Sequence, residues 1–265
     1  MRVRFAAVLA GAVVLGSCGG RGGNNVDAHS AAGPGGDYLS PPSLTTSAIT
    51  PAGRLALTGA ASPGLKVRVA TPAGQAVWAA ADEQGVWKTE LPTATEPRLF
   101  GLSMADAAGK RTVQAEGYLA ILPDGRAAQL RAGAGAVVLG ASGGGLKILA
   151  VDYDRQGGAV IAGLAAPGAT VTVRVDSVQR GQSAADAEGR FDVALSQPLA
   201  RGDHQIEASD GEHQASTVAP VSPAPNLTTG PYRAERAALG WRIDWLTPGG
   251  GVQSTIIVDR TEAAH

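Results

Sequence analysis

Apolar and polar residues alternate with a period of two along much of this chain. Leu65, Val67 and Val69 are separated by Lys66 and Arg68; Val171, Val173 and Val175 are separated by Thr172 and Arg174. That period puts apolar side chains on one face of a strand and polar ones on the other. Trp87, Thr89 and Leu91 follow the same rule, as do Phe191, Val193 and Leu195. Turn residues punctuate these runs. Pro63-Gly64 and Pro167-Gly168 stand just before strands. Asp82-Glu83-Gln84-Gly85 and Asp186-Ala187-Glu188-Gly189 have the composition of hairpin turns, because Asp bonds its own backbone two residues on and Gly supplies a positive φ. Short strands with a turn about every ten residues predict an antiparallel β-sandwich.

The chain also repeats itself. Shifted by 104 positions, 57–106 overlies 161–210 without a gap. Gly59 meets Gly163, Ala61 meets Ala165, Pro63-Gly64 meets Pro167-Gly168, and Ala80-Ala81-Asp82 meets Ala184-Ala185-Asp186. Gly85 meets Gly189, Trp87 meets Phe191, Leu91 meets Leu195 and Asp106 meets Asp210. Matches in order at turn and strand positions mark a duplicated unit. The pattern Gly-x-Ala-x-Pro-Gly-x-x-Val-x-Val, then Ala-Asp-x-x-Gly-x-(Trp/Phe), resembles bacterial Ig-like domains over roughly 55–115 and 159–218. The resemblance implies antiparallel sandwiches in tandem, used in envelope and surface proteins for spacing, adhesion or assembly rather than catalysis.

Each copy is followed by a segment outside the repeat. Gly117 to Val151 holds short apolar runs around a Pro123-Asp124-Gly125 turn. Pro231 to Leu239, bounded by Pro and followed by Gly240, predicts one short helix. Trp241 to Leu246 and Val252 to Val258, joined through Pro248-Gly249-Gly250-Gly251, predict a hairpin.

The N-terminus has another character. Arg2 and Arg4 precede an unbroken apolar or small run, Phe5 to Leu15, which ends in Leu15-Gly16-Ser17-Cys18. A charged start, a short apolar stretch and small residues at the cut describe an export signal. The run is well short of the roughly 20 residues a spanning helix needs. Leu-Gly-Ser-Cys resembles the lipobox of bacterial lipoproteins, which implies acylation of the Cys18 thiol and cleavage before it. Cys18 is the only cysteine, so no internal disulfide competes for it. Gly19, rather than Asp, follows it, which by the same resemblance favours the outer membrane. The stretch to Thr50, rich in Gly, Ala, Ser, Asn and Pro, is expected to be a flexible tether.

The predicted plan is therefore all-β: a signal peptide (1–17), a lipidated tether (18–50), an Ig-like domain (51–117), a connecting β segment (118–151), a second Ig-like domain (152–220), and a linker, short helix and hairpin (221–265). A net charge of −1 gives no basic excess of the kind nucleic-acid binding needs. Partners are expected to be the membrane, through the lipid, and an envelope protein or glycan; no cofactor is expected.

Candidate chemistry is sparse. Gly140-Ala141-Ser142-Gly143-Gly144 fits the spacing of a nucleophile elbow, but no alternating β/α pattern surrounds it. His29 and His265 sit in the tether and at the last position, while His204 and His213 flank the Asp210-Gly211 turn without enough partners for zinc. Asp152 and Asp154, with Asp82 and Asp186, raise calcium, which needs six to eight oxygens. Arg201-Gly202-Asp203 spells an adhesion tripeptide that a turn also explains. Trp241 and Trp245 share one strand face and either cover the core or form a stacking platform for a glycan, such as peptidoglycan, or a protein. Trp87 is assigned to the core because Phe191 replaces it in the other copy. The lipid reading has a direct test. Cys18→Ala is expected to move the protein from the membrane to the soluble fraction; a variant that still fractionates with membranes would remove the anchor.

Overall fold

In the computed structural model the described residues are 39–105, 108–109, 112–141, 145–259 and 262–263. All regular structure among them is β. The first repeat supplies β1 (Ser43–Ile49), β2 (Arg54–Ala60), β3 (Lys66–Ala70), β4 (Ala76–Ala80), β5 (Val86–Pro92), β6 (Arg98–Ala105) and β7 (Thr112–Gln114). A meander follows, with β8 (Tyr118–Ile121), β9 (Ala127–Leu130) and β10 (Val137–Leu139). The second repeat supplies β11 (Lys147–Asp154), β12 (Ala159–Leu164), β13 (Thr170–Val175), β14 (Val178–Ala184), β15 (Arg190–Ala194), β16 (Gly202–Ser209) and β17 (Gln214–Val221). Last come β18 (Tyr232–Ala237), β19 (Gly240–Leu246), β20 (Val252–Val258) and the short β21 (Glu262–Ala263).

These strands make four sheets. Sheet I is β1-β2-β5, and sheet II is β10-β9-β8-β6-β3-β4 with β7 beside β6. Sheet III is β15-β12-β11-β20-β19-β18, and sheet IV is β14-β13-β16-β17-β21. Every strand pairing is antiparallel. Period-two alternation decides what each face buries. Leu55, Leu57, Val67, Val69, Trp87 and Phe100 meet between sheets I and II. Val151, Tyr153, Val171, Val173, Phe191, Ile206 and Ile256 meet between sheets III and IV.

A third core joins the two sandwiches. Leu99, Ala120, Ala128 and Leu130, on the outer face of sheet II, pack against Ala150, Ala162, Ile243, Trp245 and Ile257 of sheet III. Alanines on both sheets, at 120, 128, 150 and 162, sit beside the large Trp245 side chain in that contact. The four sheets thus form one stack, and the central strands of sheet III are buried on both faces.

The repeat reaches further back than identities reveal. β1 and β11 lie at the same offset of 104, and both pairings carry an irregularity at equivalent places: Leu44/Thr46 against β2 and Ile148/Ala150 against β12. Beneath the aromatic of each copy sits a glycine that tolerates no Cβ. One built on Gly59 would lie 2.0 Å from the Ser43 carbonyl oxygen and 2.4 Å from the Trp87 ring; one on Gly163 would lie 1.9 Å from the Lys147 carbonyl oxygen and 2.8 Å from Phe191.

Two expectations are corrected. Residues 231–239 are not a helix: β18 pairs with β19 from Tyr232↔Trp245 to Ala237↔Gly240. The free edge of β19 supplies backbone partners that outweigh helix propensity, and Gly240 serves the hairpin end instead of capping a helix. The terminal hairpin extends the second sandwich, with β20 between β11 and β19 in sheet III. Finally, β1 falls within the stretch expected as tether, and β11 within the expected connector, so the sandwiches begin at 43 and 147.

A shared core predicts one cooperative unfolding transition for 39–265. Trp245→Ala is expected to lower stability by about 3–5 kcal/mol, read by urea denaturation followed at once by far-UV circular dichroism and tryptophan fluorescence. Two separate transitions in the wild-type chain would contradict the third core.

Candidate functional site

The junction between the sandwiches carries the most elaborate polar arrangement. Asp152, on β11, points toward sheet II and is only 2% exposed. Its Oδ1 accepts hydrogen bonds from the Thr255 hydroxyl at 2.5 Å and from Gln253 Nε2 at 3.2 Å. Its Oδ2 accepts from the Ala136 N–H at 2.8 Å. Thr255 in turn accepts from Trp245 Nε1 at 3.1 Å, so the indole and the carboxylate share one hydroxyl. Gln253 reaches across the seam as well: its Nε2 donates to the Arg131 carbonyl at 3.1 Å and its Oε1 accepts from the Gly133 N–H at 3.0 Å. Burial pushes the Asp152 carboxyl up to about 6, against the hydrogen bonds and the Arg131 charge that favour its ionised form. At the rim, Arg131 Nη2 meets Asp192 at 3.0 Å, and Arg126 donates to the Val258 carbonyl at 3.2 Å. These groups serve to lock two sandwiches together.

The other candidates disperse. Cys18, His29, Ser142 and His265 lie outside the described residues. Trp241 and Trp245 do share a face, as alternation requires, but sheet II covers that face. Trp245 is fully buried and meets Tyr118 edge to face at 5.9 Å. Trp241 is half-buried, with the Arg236 guanidinium 5.4 Å from its ring. The pair therefore forms no exposed stacking platform, and its covering strands could not be inferred from β19 alone. His204 and His213 are not brought together either. His204 pairs through Nδ1 with Asp176 at 2.7 Å, while His213 sits at the far end of the β16–β17 hairpin beside Asp210. Burial opposes the charge on His204, but the Asp176 hydrogen bond, the Ala200 carbonyl and the Asp176 charge outweigh it and raise its pKa.

The turn aspartates are occupied by their own backbones. Asp82 Oδ1 accepts from Gln84 N–H and Val86 N–H; Asp186 Oδ1 accepts from Glu188 N–H and Arg190 N–H. Asp154 does the same for Gln156 and Gly158. Among the described residues, no group of three or more His, Cys, Asp and Glu side chains is placed to hold a metal. Arg201-Gly202-Asp203 is exposed at the start of β16, inside strand pairing from Gly202 onward. A cleft of about 540 Å³ lies beside Asp154, lined among others by Gly133, Tyr153, Arg155, Gln156 and Gln253.

Sequence reasoning missed the most exposed large apolar residue. Trp78, on β4, is 56% exposed, and Val77 beside it 38%. Trp78 stands opposite Arg68, and Ala80 opposite Lys66, on β3. The signal was available in the repeat, since position 182, the counterpart of Trp78, is Gln.

The junction has a pH signature. A carboxyl whose folded pKa lies above its unfolded value stabilises the fold most below the unfolded value, and that contribution is lost as pH rises through the folded one. From pH 4 to 6, Asp152 is therefore expected to cost the fold about 2 kcal/mol. Comparing denaturation of the wild type with Asp152→Asn across this range isolates the effect. Parallel stability curves would show that Asp152 does not titrate there.

The profile of the bacterial Ig domain family matches residues 147–224, from the start of β11 to just beyond β17. No match is found among curated proteins. Among solved structures, a chain described as "Biofilm associated protein - BSP domain" aligns at 14% identity with a TM-score of 0.23, covering 71% of this chain and 30% of that one. In sequence and in strand plan, then, the second sandwich is similar to a bacterial Ig domain, and the first repeats its plan.

Proposed function

We propose that this protein is a bacterial cell-envelope lipoprotein that acts without catalysis, as a binding or scaffold module. In this reading Cys18 carries the lipid, the residues after it form the tether, and the outer membrane is the site of anchorage. The observation that carries the reading is the fused stack. Two Ig-like sandwiches meet through the apolar contact around Ile243, Trp245 and Ile257 and through the polar lock at Asp152. A lipid-tethered chain with linked but independent beads would flex between its domains. This one presents a single rigid body, in which two surfaces keep a fixed relation, and a scaffold needs that property. The turn aspartates support the same reading, since Asp82, Asp154 and Asp186 are spent on shaping hairpins. With Trp245 buried, nothing at the tryptophan pair favours a glycan partner over a protein one.

Cross-linking in cells, with a C-terminally tagged, lipidated protein, followed by affinity purification and mass spectrometry, tests the proposal. A defined set of envelope proteins, absent when Cys18→Ala is used, is the expected outcome. Enrichment of cell-wall polysaccharide with no protein would replace the scaffold with a glycan binder.

A further inference from the structure

We propose that the outer edge of β4 is a docking edge for an extended, acidic segment of a partner protein, which adds to sheet II as a further strand. This inference rests on the binding-module reading and names its site and partner chemistry.

β4 is the last strand of sheet II. In an antiparallel pair, residues alternate between those that exchange hydrogen bonds with the neighbour and those that face away. Thr71 N–H donates to the Gln75 carbonyl and Ala81 N–H to the Leu65 carbonyl. With the register Val69↔Val77 and Val67↔Ala79, that alternation turns the N–H and C=O groups of Ala76, Trp78 and Ala80 outward. An exposed edge with apolar side chains is a template for another strand, and folded proteins blunt such edges with charges, bulges or covering chain.

The second repeat uses these devices at the same edge. Its counterpart, β14, carries Arg180 and Gln182, and its pairing with β13 is irregular at Val173/Arg174. The Arg180 carbonyl is also covered, accepting from Ser196 N–H at 2.8 Å. The first repeat has lost all of these. Ala76 stands in place of Arg180, Trp78 in place of Gln182, and Pro92, which has no N–H, in place of Ser196. The register of β3 with β4 is regular throughout. The same fold thus closes the edge in one copy and leaves it open in the other.

Charge indicates the occupant. Lys66 and Arg68 lie on the face that Trp78 shares, and β3, β4 and β6 contain no Asp or Glu. An open recess beside the edge is lined by Lys66, Trp78, Ala79 and Ala80. Ala80 is opposite Lys66, so the lysine reaches over a methyl group toward the open side of β4. A strand with apolar residues against Trp78 and carboxylates toward Lys66 and Arg68 fits this edge. A second copy fits less well: it would set two cationic faces side by side.

The test selects a phage-displayed library of random dodecapeptides on the immobilised full chain. Enriched peptides are expected to alternate β-forming residues with Asp or Glu. The best of them, synthesised, should slow amide exchange at Ala76, Trp78 and Ala80. Ala76→Pro removes one outward N–H and no β3–β4 hydrogen bond, so it should keep the wild-type melting temperature and lose the peptide. Trp78→Gln, which copies the other repeat, should weaken binding about tenfold. Equal binding to Ala76→Pro, or selected peptides without acidic residues, would overturn the proposal. So would a concentration-dependent dimer that protects the same amides, which would give the edge to a second copy. A polyuronate that perturbs the Trp78 ring but not the amides would overturn it in favour of a glycan surface. In the cellular cross-linking experiment, a partner set unchanged by Ala76→Pro would keep the module and remove this edge, whereas no protein partner at all would remove the module itself.

Discussion

The central strands of sheet III, β12, β11, β20 and β19, have almost no face turned to water, and the rest of the architecture follows from that constraint. A sheet covered on one side alternates apolar and polar residues; a sheet covered on both reads as a run of apolar ones. β12 is Ala-Val-Ile-Ala-Gly-Leu, and β20 ends in Thr-Ile-Ile-Val. Such strands are stable only if something lies on each side. Sheet IV supplies one cover with side chains such as Val173 and Ile206, and the β6–β8–β9 part of sheet II supplies the other with alanines and leucines. The polar residues caught in between must be fully satisfied, because an unpaired buried donor or acceptor costs about 1–3 kcal/mol. On one face Asp152, Gln253, Thr255 and Trp245 satisfy one another and the loop after β9. On the other, Arg242 pairs with Asp244 at 2.8 Å, and Ser254 donates to Asp244 at 2.7 Å.

What the sequence discloses and what it conceals divide along the same line. Local geometry is legible. Asp82 and Asp186 form the predicted turns with the same two backbone partners, and Gly85 and Gly189 have φ near 78° in both. The alternation around Val67 and Val171 marks the inward faces correctly. Long-range pairing is concealed. β1 and β11 share no residue at the repeat offset, yet occupy the same place beside β2 and β12 with the same bulge, since that place needs only a compatible backbone and an inward apolar residue such as Leu44 or Ile148. Tyr232 to Ala237 became a strand because β19 offered an edge, a fact absent from those six residues. The tryptophan pair shows both sides at once. Alternation correctly gave 241, 243 and 245 a common face, but what covers that face is contributed from residue 99 onward.

The two copies also show which features the fold demands and which it merely permits. The glycine under the aromatic, the turn aspartate and the bulge recur because backbone geometry forces them. The aromatic itself varies between Trp87 and Phe191, since either fills the volume. Trp87 Nε1 then needs acceptors that Phe191 does not, and finds the Ser43 and Ala60 carbonyls at 3.1 and 3.2 Å. Edges lie outside these demands, so they are where duplicated copies are free to diverge.

The position of β20 has a bearing on biogenesis. Ala150 pairs with Ile257 and Asp154 with Gln253, so the central seam of sheet III is closed by the last long strand of the chain. Pairings of such sequence separation form slowly, because the loop between them must be closed before any contact repays it. A nascent chain lacking residues 252–258 has β11 and β19 with a gap between them, and nothing to complete the double-sided core. Completion of sheet III therefore waits on residues 252–258, which join β11 to β19.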